Sequence, residues 1–209
     1  MTEDDDETAA SSFFEPMYAA SSTEGEGLPW AHMQANGQLA EWLRDQPPGS
    51  GRPALVTGCG LGDDAEEIAR RGWEVMAFDV AESAIRLCLE RFPQSSVDYR
   101  IADLFRPPDD WRGAFALVFD NRTVQSLPYE LQPRAMAAVA GLVAPGGTLV
   151  VVTEIVGPEH LSQGPPYRML AESLVAYEAA GLARQSWDEV PHREDPPSRH
   201  ARVVYGRSR

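Results

Sequence analysis

A chain of 209 residues with 43% hydrophobic and 24% charged side chains can bury one substantial core, and its composition is neither fibrous nor disordered. Its formal net charge of −14 weighs against nucleic acid as a partner, because binding a polyanion rests on cations that neutralise phosphates. No apolar run approaches the roughly 20 residues that span a bilayer, and Cys59 and Cys88 stand in no metal-site or disulfide spacing, so a cytoplasmic chain without membrane or metal is expected.

In chain order, the opening "MTEDDDETAASS" is acidic where a secretory signal is basic, and residues 1–12 read as a disordered leader. The rest, 13–209, reads as one domain: an N-terminal helical lid over 13–50 and a core over 51–209. In the lid, Phe13, Phe14 and Tyr18 start a short helix, and "STEGEGLP" is a turn or mobile loop. Leu39, Trp42 and Leu43 then form a helical stripe between Asn36 and Asp45. "QPPGSGRP" breaks the chain before the core begins.

Strands and helices alternate from there. "ALVTG" is a buried strand, Asp63 to Arg71 a helix, "EVMAFDV" a strand, Glu82 to Arg91 a helix and "VDYRIADL" a strand. "FALVFDN" follows as a fourth strand, then a helix over "YELQPRAMAAVAGLV" and a fifth strand, "TLVVVTEIV". A helix from Leu170 to Ala180 leads to "LARQSWDEV" and "HARVVYGR", a closing hairpin. This alternation predicts an α/β, Rossmann-like, doubly wound fold: a mostly parallel sheet with a closing antiparallel hairpin and helices on both faces.

The stretch "ALVTGCGLGDDAEEIARRGWEVMAFDV" carries the first chemical signal. Gly58, Gly60 and Gly62, with Cys59 among them, lie between a strand and a helix, where glycine permits a tight turn and close approach of a ligand to the backbone. Asp79, followed by Val80, ends the next strand, the position from which a carboxylate accepts ribose hydroxyls. The pattern describes a site for an adenosine ligand. A pyrophosphate on the helix N-terminus would meet Asp63 and Asp64; S-adenosylmethionine, with no phosphate and a positive sulfonium, would not be repelled. Both acids also serve as helix caps. Asp103 with Leu104 ends the third strand, where a carboxylate can take the adenine amino group or simply shape the loop. Asp120 ends the fourth strand, and "APGG" needs no reading beyond a turn.

Together, "VTGCGLGDDA", "AFDV", "IADLF", "FALVFDN" and "LVAPGGTLVVV" resemble the class I S-adenosylmethionine-dependent methyltransferases. "GLPWAHMQANGQLAEWL", "FDNRTVQSLPYELQPR" and "GPPYRML" look like the thiopurine S-methyltransferase-like branch, which includes thiol and halide methyltransferases. The chain departs from that branch at Ala31, where the branch usually has Asp, and at Asp120-Asn121, where it usually has Asp-Arg; here Arg122 follows one step later. The resemblance implies that Trp30 closes over the cofactor, although a core aromatic is an equal reading. It implies that Asn121, Arg122 and Gln125 line an acceptor pocket, against the plainer reading of a solvated turn.

The expected reaction is methyl transfer to a small molecule, at sulfur before oxygen or nitrogen. A thiol with a free pKa of about 8.5 ionises without a dedicated base. His32 is an acceptor-pocket candidate and, with His160, a candidate base, though a surface position explains each. No residue is assigned a certain catalytic role. A nicotinamide-dependent oxidoreductase and a non-catalytic cofactor-binding module are the alternatives from other classes. The oligomeric state is not legible in the sequence.

Overall fold

The structure, a computed structural model, describes residues 12–191 and 198–209. The expected acidic leader lies outside these apart from Ser12, as does most of the loop between the last two strands. The chain divides into two compact units, one running to Arg106 and the other starting at Pro107.

In the first unit, helices α1 (Glu15–Ala19) and α2 (Gly37–Arg44) precede β1 (Pro53–Thr57), α3 (Asp63–Arg70), β2 (Glu74–Asp79), α4 (Glu82–Arg91) and β3 (Asp98–Ile101). Its strands lie in the order β3-β2-β1, all parallel, with Leu55 paired to Met76 and Ala77 to Tyr99. Ala54, Leu55, Val56 and Thr57 of β1 are all buried. A strand covered on both faces has no polar alternation, which is why it reads as an unbroken apolar run. α3 buries Ala65 and Ile68, with acids in its first turn and Arg70 in its last, charges that complement the helix dipole. Asn36 caps α2 by accepting the Gln38 N–H at 2.9 Å. α1 docks on α4 through Glu15, whose carboxylate accepts the Ser83 N–H at 3.1 Å and hydroxyl at 2.6 Å. These bonds lower the Glu15 pKa and satisfy a first-turn donor that α4 cannot pair internally.

The second unit holds β4 (Phe115–Asn121), α5 (Gln132–Leu142), β5 (Val143–Ile155), α6 (Val175–Ala179), β6 (Leu182–Pro191) and β7 (Arg199–Arg207). Its strand order is β4-β5-β7-β6. β4 and β5 are parallel, and β7 is antiparallel to both of its neighbours. The expected hairpin is present, and its second strand takes the inner place, with Ala201, Val203, Val204 and Tyr205 buried. Beyond Leu182, β6 is largely exposed and carries Arg184, Asp188 and Glu189, charges that discourage pairing with another edge.

Several expectations shift. The third strand, read to Leu104, ends at Ile101, so Asp103 and Leu104 lie in the loop after it, and the helix read from Tyr129 begins at Gln132. The fifth strand, read from Thr148, begins at Val143, which pairs with Phe115 before the register breaks. The Ala-Pro-Gly-Gly segment rides in that irregularity. A side chain at Gly147 would place its Cβ 2.8 Å from the Ala144 carbonyl oxygen and 2.9 Å from that of Phe115, so only glycine lets the chains approach. The helix read over Leu170 to Ala180 is a 3-10 turn, Ala171–Leu174, followed by the short α6. Among the described residues no helix is long and apolar enough to cross a membrane.

Candidate functional site

The loop from β1 to α3 is closed by an acid from β2. Gly58, Gly60 and Gly62 all have left-handed backbones, at φ 50°, 54° and 88°, a region glycine enters without a Cβ penalty. Cys59 donates its N–H to Phe78 O at 2.8 Å, and Gly60 donates to Asp79 Oδ2 at 3.0 Å. The other Asp79 oxygen accepts from Ala81 N at 3.0 Å. Burial raises the Asp79 pKa, opposed by backbone N–H donors from Ala81, Gly60 and Val80. With three backbone donors on its two oxygens, the carboxylate has about one acceptor position left over.

Tyr18 stands over this loop: a Cβ on Gly60 would lie 3.1 Å from its hydroxyl. That hydroxyl accepts the Trp30 indole N–H at 3.1 Å. Trp30 is half-buried, edge-on to Phe14 at 5.8 Å and to Tyr18 at 5.9 Å, against a cluster that includes Leu28, Leu61 and Leu87. His32, two residues on, is exposed. Beneath the loop, Cys88 Sγ bonds Gly60 O at 3.1 Å. A hydrogen bond with the Cys88 thiol, together with burial, raises the Cys59 pKa well above the usual thiol value, so this cysteine is no ready nucleophile.

The acids opening α3 have protein partners. Asp63 faces Arg91 in a two-pronged pair at 2.8 and 2.9 Å, while Arg91 also reaches Leu61 O. Asp64 accepts the Asn36 N–H at 2.7 Å and ties α2 to α3. Asp63's charge is therefore balanced, and the electrostatic argument against a pyrophosphate loses that acid as its support. Asp103 accepts the Phe105 N–H at 2.9 Å, the loop-shaping role, and Leu104 is buried beside it in sequence while Val80 is half-buried.

The second unit holds a polar cluster at the end of β4. Asp120 is buried, and its charge adds to burial in raising the Tyr177 pKa. Asn121 closes the strand, half-buried. Arg122 then adopts φ 64°, a left-handed backbone unusual for a side chain of this size. Such strain gathers at functional sites. Gln125 Oε1 accepts the Thr153 hydroxyl and the Glu154 N–H, both at 2.7 Å. Glu154 has Arg168 Nε at 3.3 Å, and Arg122 Nη2 and His200 Nε2 each at 3.5 Å. The hydrogen bond with His200 comes first, with the charges of Arg122 and Arg168, in holding the Glu154 carboxyl down to about 2 against burial. The loop after β5 delivers Arg168: Ser162 N bonds Tyr129 Oη at 3.1 Å, Tyr167 N bonds Gln125 O at 2.6 Å, and Met169 N bonds Glu154 O at 2.9 Å. His160 lies exposed in that loop.

The structure brings the three glycines and Asp79 together in one unit, and Arg122 and Gln125 together in the other. Tyr18, Glu154, Arg168 and His200 were not picked out from sequence. An internal acid in "VVVTEIV" was the available signal for Glu154, since a carboxylate in a buried strand needs partners.

A thiopurine S-methyltransferase (TPMT) family profile matches residues 22–205. The chain is 28% identical over 190 residues to thiocyanate methyltransferase 1 of Arabidopsis thaliana, covering 88% of this chain and 80% of that one. It is 30% identical over 147 residues to an uncharacterised methyltransferase of Mycobacterium tuberculosis, covering 68% of this chain and 69% of that one. Magnesium protoporphyrin IX methyltransferase from Synechocystis PCC 6803, solved with bound S-adenosylmethionine, shares the fold at a TM-score of 0.71 and 15% identity, over 97% of each chain. The chain belongs to the thiopurine S-methyltransferase family and is an S-adenosylmethionine-dependent methyltransferase with a Rossmann-like, mostly parallel α/β fold closed by an antiparallel hairpin.

Proposed function

We propose that this enzyme methylates a small molecule at a thiol. S-adenosylmethionine supplies a methyl group on a sulfonium; the acceptor sulfur forms the new C–S bond in line as the old one breaks, and that bond's electron pair stays on S-adenosylhomocysteine. In the first unit, the backbone of Gly58, Cys59, Gly60 and Gly62 gives a ligand close approach, and the acceptor position left open on Asp79 suits a ribose hydroxyl. Val80, Asp103 and Leu104 are the candidates for the adenine side, and Trp30, acting with Tyr18, for the cover. Asn121, Arg122 and Gln125 in the second unit are the acceptor-side candidates.

The observation that carries the choice of sulfur is the Glu154 carboxyl, held down to about 2 by His200 and two arginines. A base that weak is poorly matched to taking a proton from a hydroxyl or an ammonium in the transition state. A thiol needs no such help, because a few per cent is already thiolate near neutrality. Positioning is then the main task left to the protein, and it can supply on the order of 7–11 kcal/mol of the barrier. A second reading has one observation in its favour: Glu154 beside His200 resembles the carboxylate-oriented imidazole of a general base. That arrangement suits oxygen methylation.

Formation of S-adenosylhomocysteine across matched thiols, phenols and amines separates the two. Thiols are expected to turn over fastest. Turnover of phenols or amines with none of thiols overturns the sulfur assignment.

A further inference from the structure

Gln125 is 1% exposed, and its amide has one permitted orientation. Oε1 accepts two hydrogen bonds, and turning the amide over would set its NH2 group against the Glu154 backbone N–H. The NH2 group is thereby aimed away from these partners, and Nε2 is buried with no hydrogen-bond partner among the described residues. Arg122 Nε, three residues back in the chain, is also buried without one. Buried polar atoms are nearly always paired, and leaving a donor unpaired forfeits its hydration. Two such donors on side chains that both meet Glu154 point to an electron-rich group that the described residues do not supply, as a bound ligand would.

The acceptor's sulfur is a poor match. Thioether and thiol sulfurs are weak hydrogen-bond acceptors, and a thiolate stabilised by a guanidinium and an amide would be held in its ground state. A group that does not react is the better occupant. Arg122 Nη2 is held by Glu154 and His200, which leaves its Nε–H; a carboxylate can accept that N–H with one oxygen and the Gln125 amide N–H with the other, as charge-assisted hydrogen bonds. We propose that Arg122 and Gln125 Nε2 receive a carboxylate borne on the same skeleton as the methylated thiol, so that the enzyme selects mercapto acids over neutral thiols. This rests on reading Arg122 and Gln125 as acceptor-side residues. Arg168, carried to Glu154 by the loop after β5, adds a second cation to the cluster.

The test compares 3-mercaptopropionate with 3-mercaptopropionamide, which differ only in the charged group, and with thiocyanate as a simple anion. The acid is expected to exceed the amide in kcat/KM by about tenfold to a hundredfold, chiefly through KM. Gln125→Glu keeps an oxygen for Thr153 and Glu154 but replaces the donor with a second oxygen, and should collapse that ratio while circular dichroism shows an intact fold. An acid-to-amide ratio near unity in the wild-type enzyme overturns the proposal. If Arg122→Gln still slows both thiols, the acceptor-side reading survives that failure. If neither Arg122→Gln nor Gln125→Glu alters either thiol, that reading fails as well. Should neither thiol turn over, calorimetry on the S-adenosylhomocysteine-loaded enzyme decides: acid bound no more tightly than amide, or than thiocyanate, overturns it.

Discussion

Gly60 donates its backbone N–H to Asp79 Oδ2 at 3.0 Å, across 19 residues of sequence. The glycine loop and the acid are therefore one device: the carboxylate fixes the loop, and its backbone donors leave it about one acceptor position open. Asp79→Ala removes the anchor and, with it, the carboxylate proposed to accept a ribose hydroxyl. Asp79→Asn keeps the shape, yet its NH2 group must face either Gly60 N–H or Ala81 N–H. Each charge-assisted bond is worth roughly 1.5–3 kcal/mol, so both variants should bind S-adenosylhomocysteine at least about tenfold more weakly. Calorimetry showing wild-type affinity in a folded Asp79→Ala protein removes Asp79 from the cofactor site.

Gly60→Val tests the loop itself. The backbone φ of 54° is one a β-branched residue rarely adopts, and the new Cβ would press on Tyr18 Oη from 3.1 Å. The left-handed conformation alone costs roughly 1–2 kcal/mol. The variant should unfold at lower denaturant and lose cofactor affinity. Tight S-adenosylhomocysteine binding by a folded Gly60→Val enzyme would contradict the close-approach reading.

Most of the fold was legible because its signals are local. Unbroken apolar runs such as "ALVT" mark strands covered on both faces, and helix α4 was read to the residue, Glu82–Arg91. The glycine loop and Asp79 were legible for the same reason, as short-range pattern. The polar cluster was not. Glu154, Arg168 and His200 sit in three separate stretches and meet only because β7 pairs with β5, His200 opposite Glu154, and because the loop after β5 folds back. Strand pairing and loop return leave no periodicity in sequence. Asp63 shows the opposite error: its place at the helix start suggested ligand electrostatics, while the structure gives it to Arg91, 28 residues away.

Glu154 makes a prediction about acid stability. Its carboxyl ionises at about 2 in the folded chain, against 4.5 for an unperturbed glutamate. A lowered folded pKa means that the contribution is fully present above the unfolded value and is lost as pH falls through the folded one. Wild-type stability should therefore drop between about pH 4.5 and 2, by on the order of 1–3 kcal/mol from this group. Glu154→Gln leaves Arg122 and Arg168 without their counter-charge and should be less stable near neutrality. The gap between the two proteins should close on acidification. Urea unfolding across that range checks it; two parallel stability curves would show that Glu154 does not carry the linkage.

The last prediction concerns Trp30. It donates to Tyr18 Oη and packs edge-on to Phe14 and Tyr18, and the segment meets the glycine loop where Tyr18 stands over Gly60 and Leu28 clusters with Leu61. The preceding stretch is a run of turns, with Gly25 N bonded to Ser22 O, Leu28 N to Gly25 O and Ala31 N to Leu28 O, and Leu28 is buried. Short local turns of this kind, outside any helix or strand, are the physical condition for local opening. We infer that the segment opens to admit S-adenosylmethionine and closes to exclude water, as catalytic lids do. Were Trp30 only a core residue, Trp30→Ala would cost up to about 3–5 kcal/mol of stability, the range for a buried aromatic. As a half-buried cover acting through Tyr18, it should cost less than that and show its main loss in cofactor affinity and turnover. Trp30→Phe, which keeps a ring but not the N–H, should fall between. Limited proteolysis gives the independent readout: cleavage before Trp30 should be rapid in the free enzyme and suppressed by S-adenosylhomocysteine. Equal cleavage in the two states would assign Trp30 to packing alone and leave Tyr18 as the sole cover of the loop.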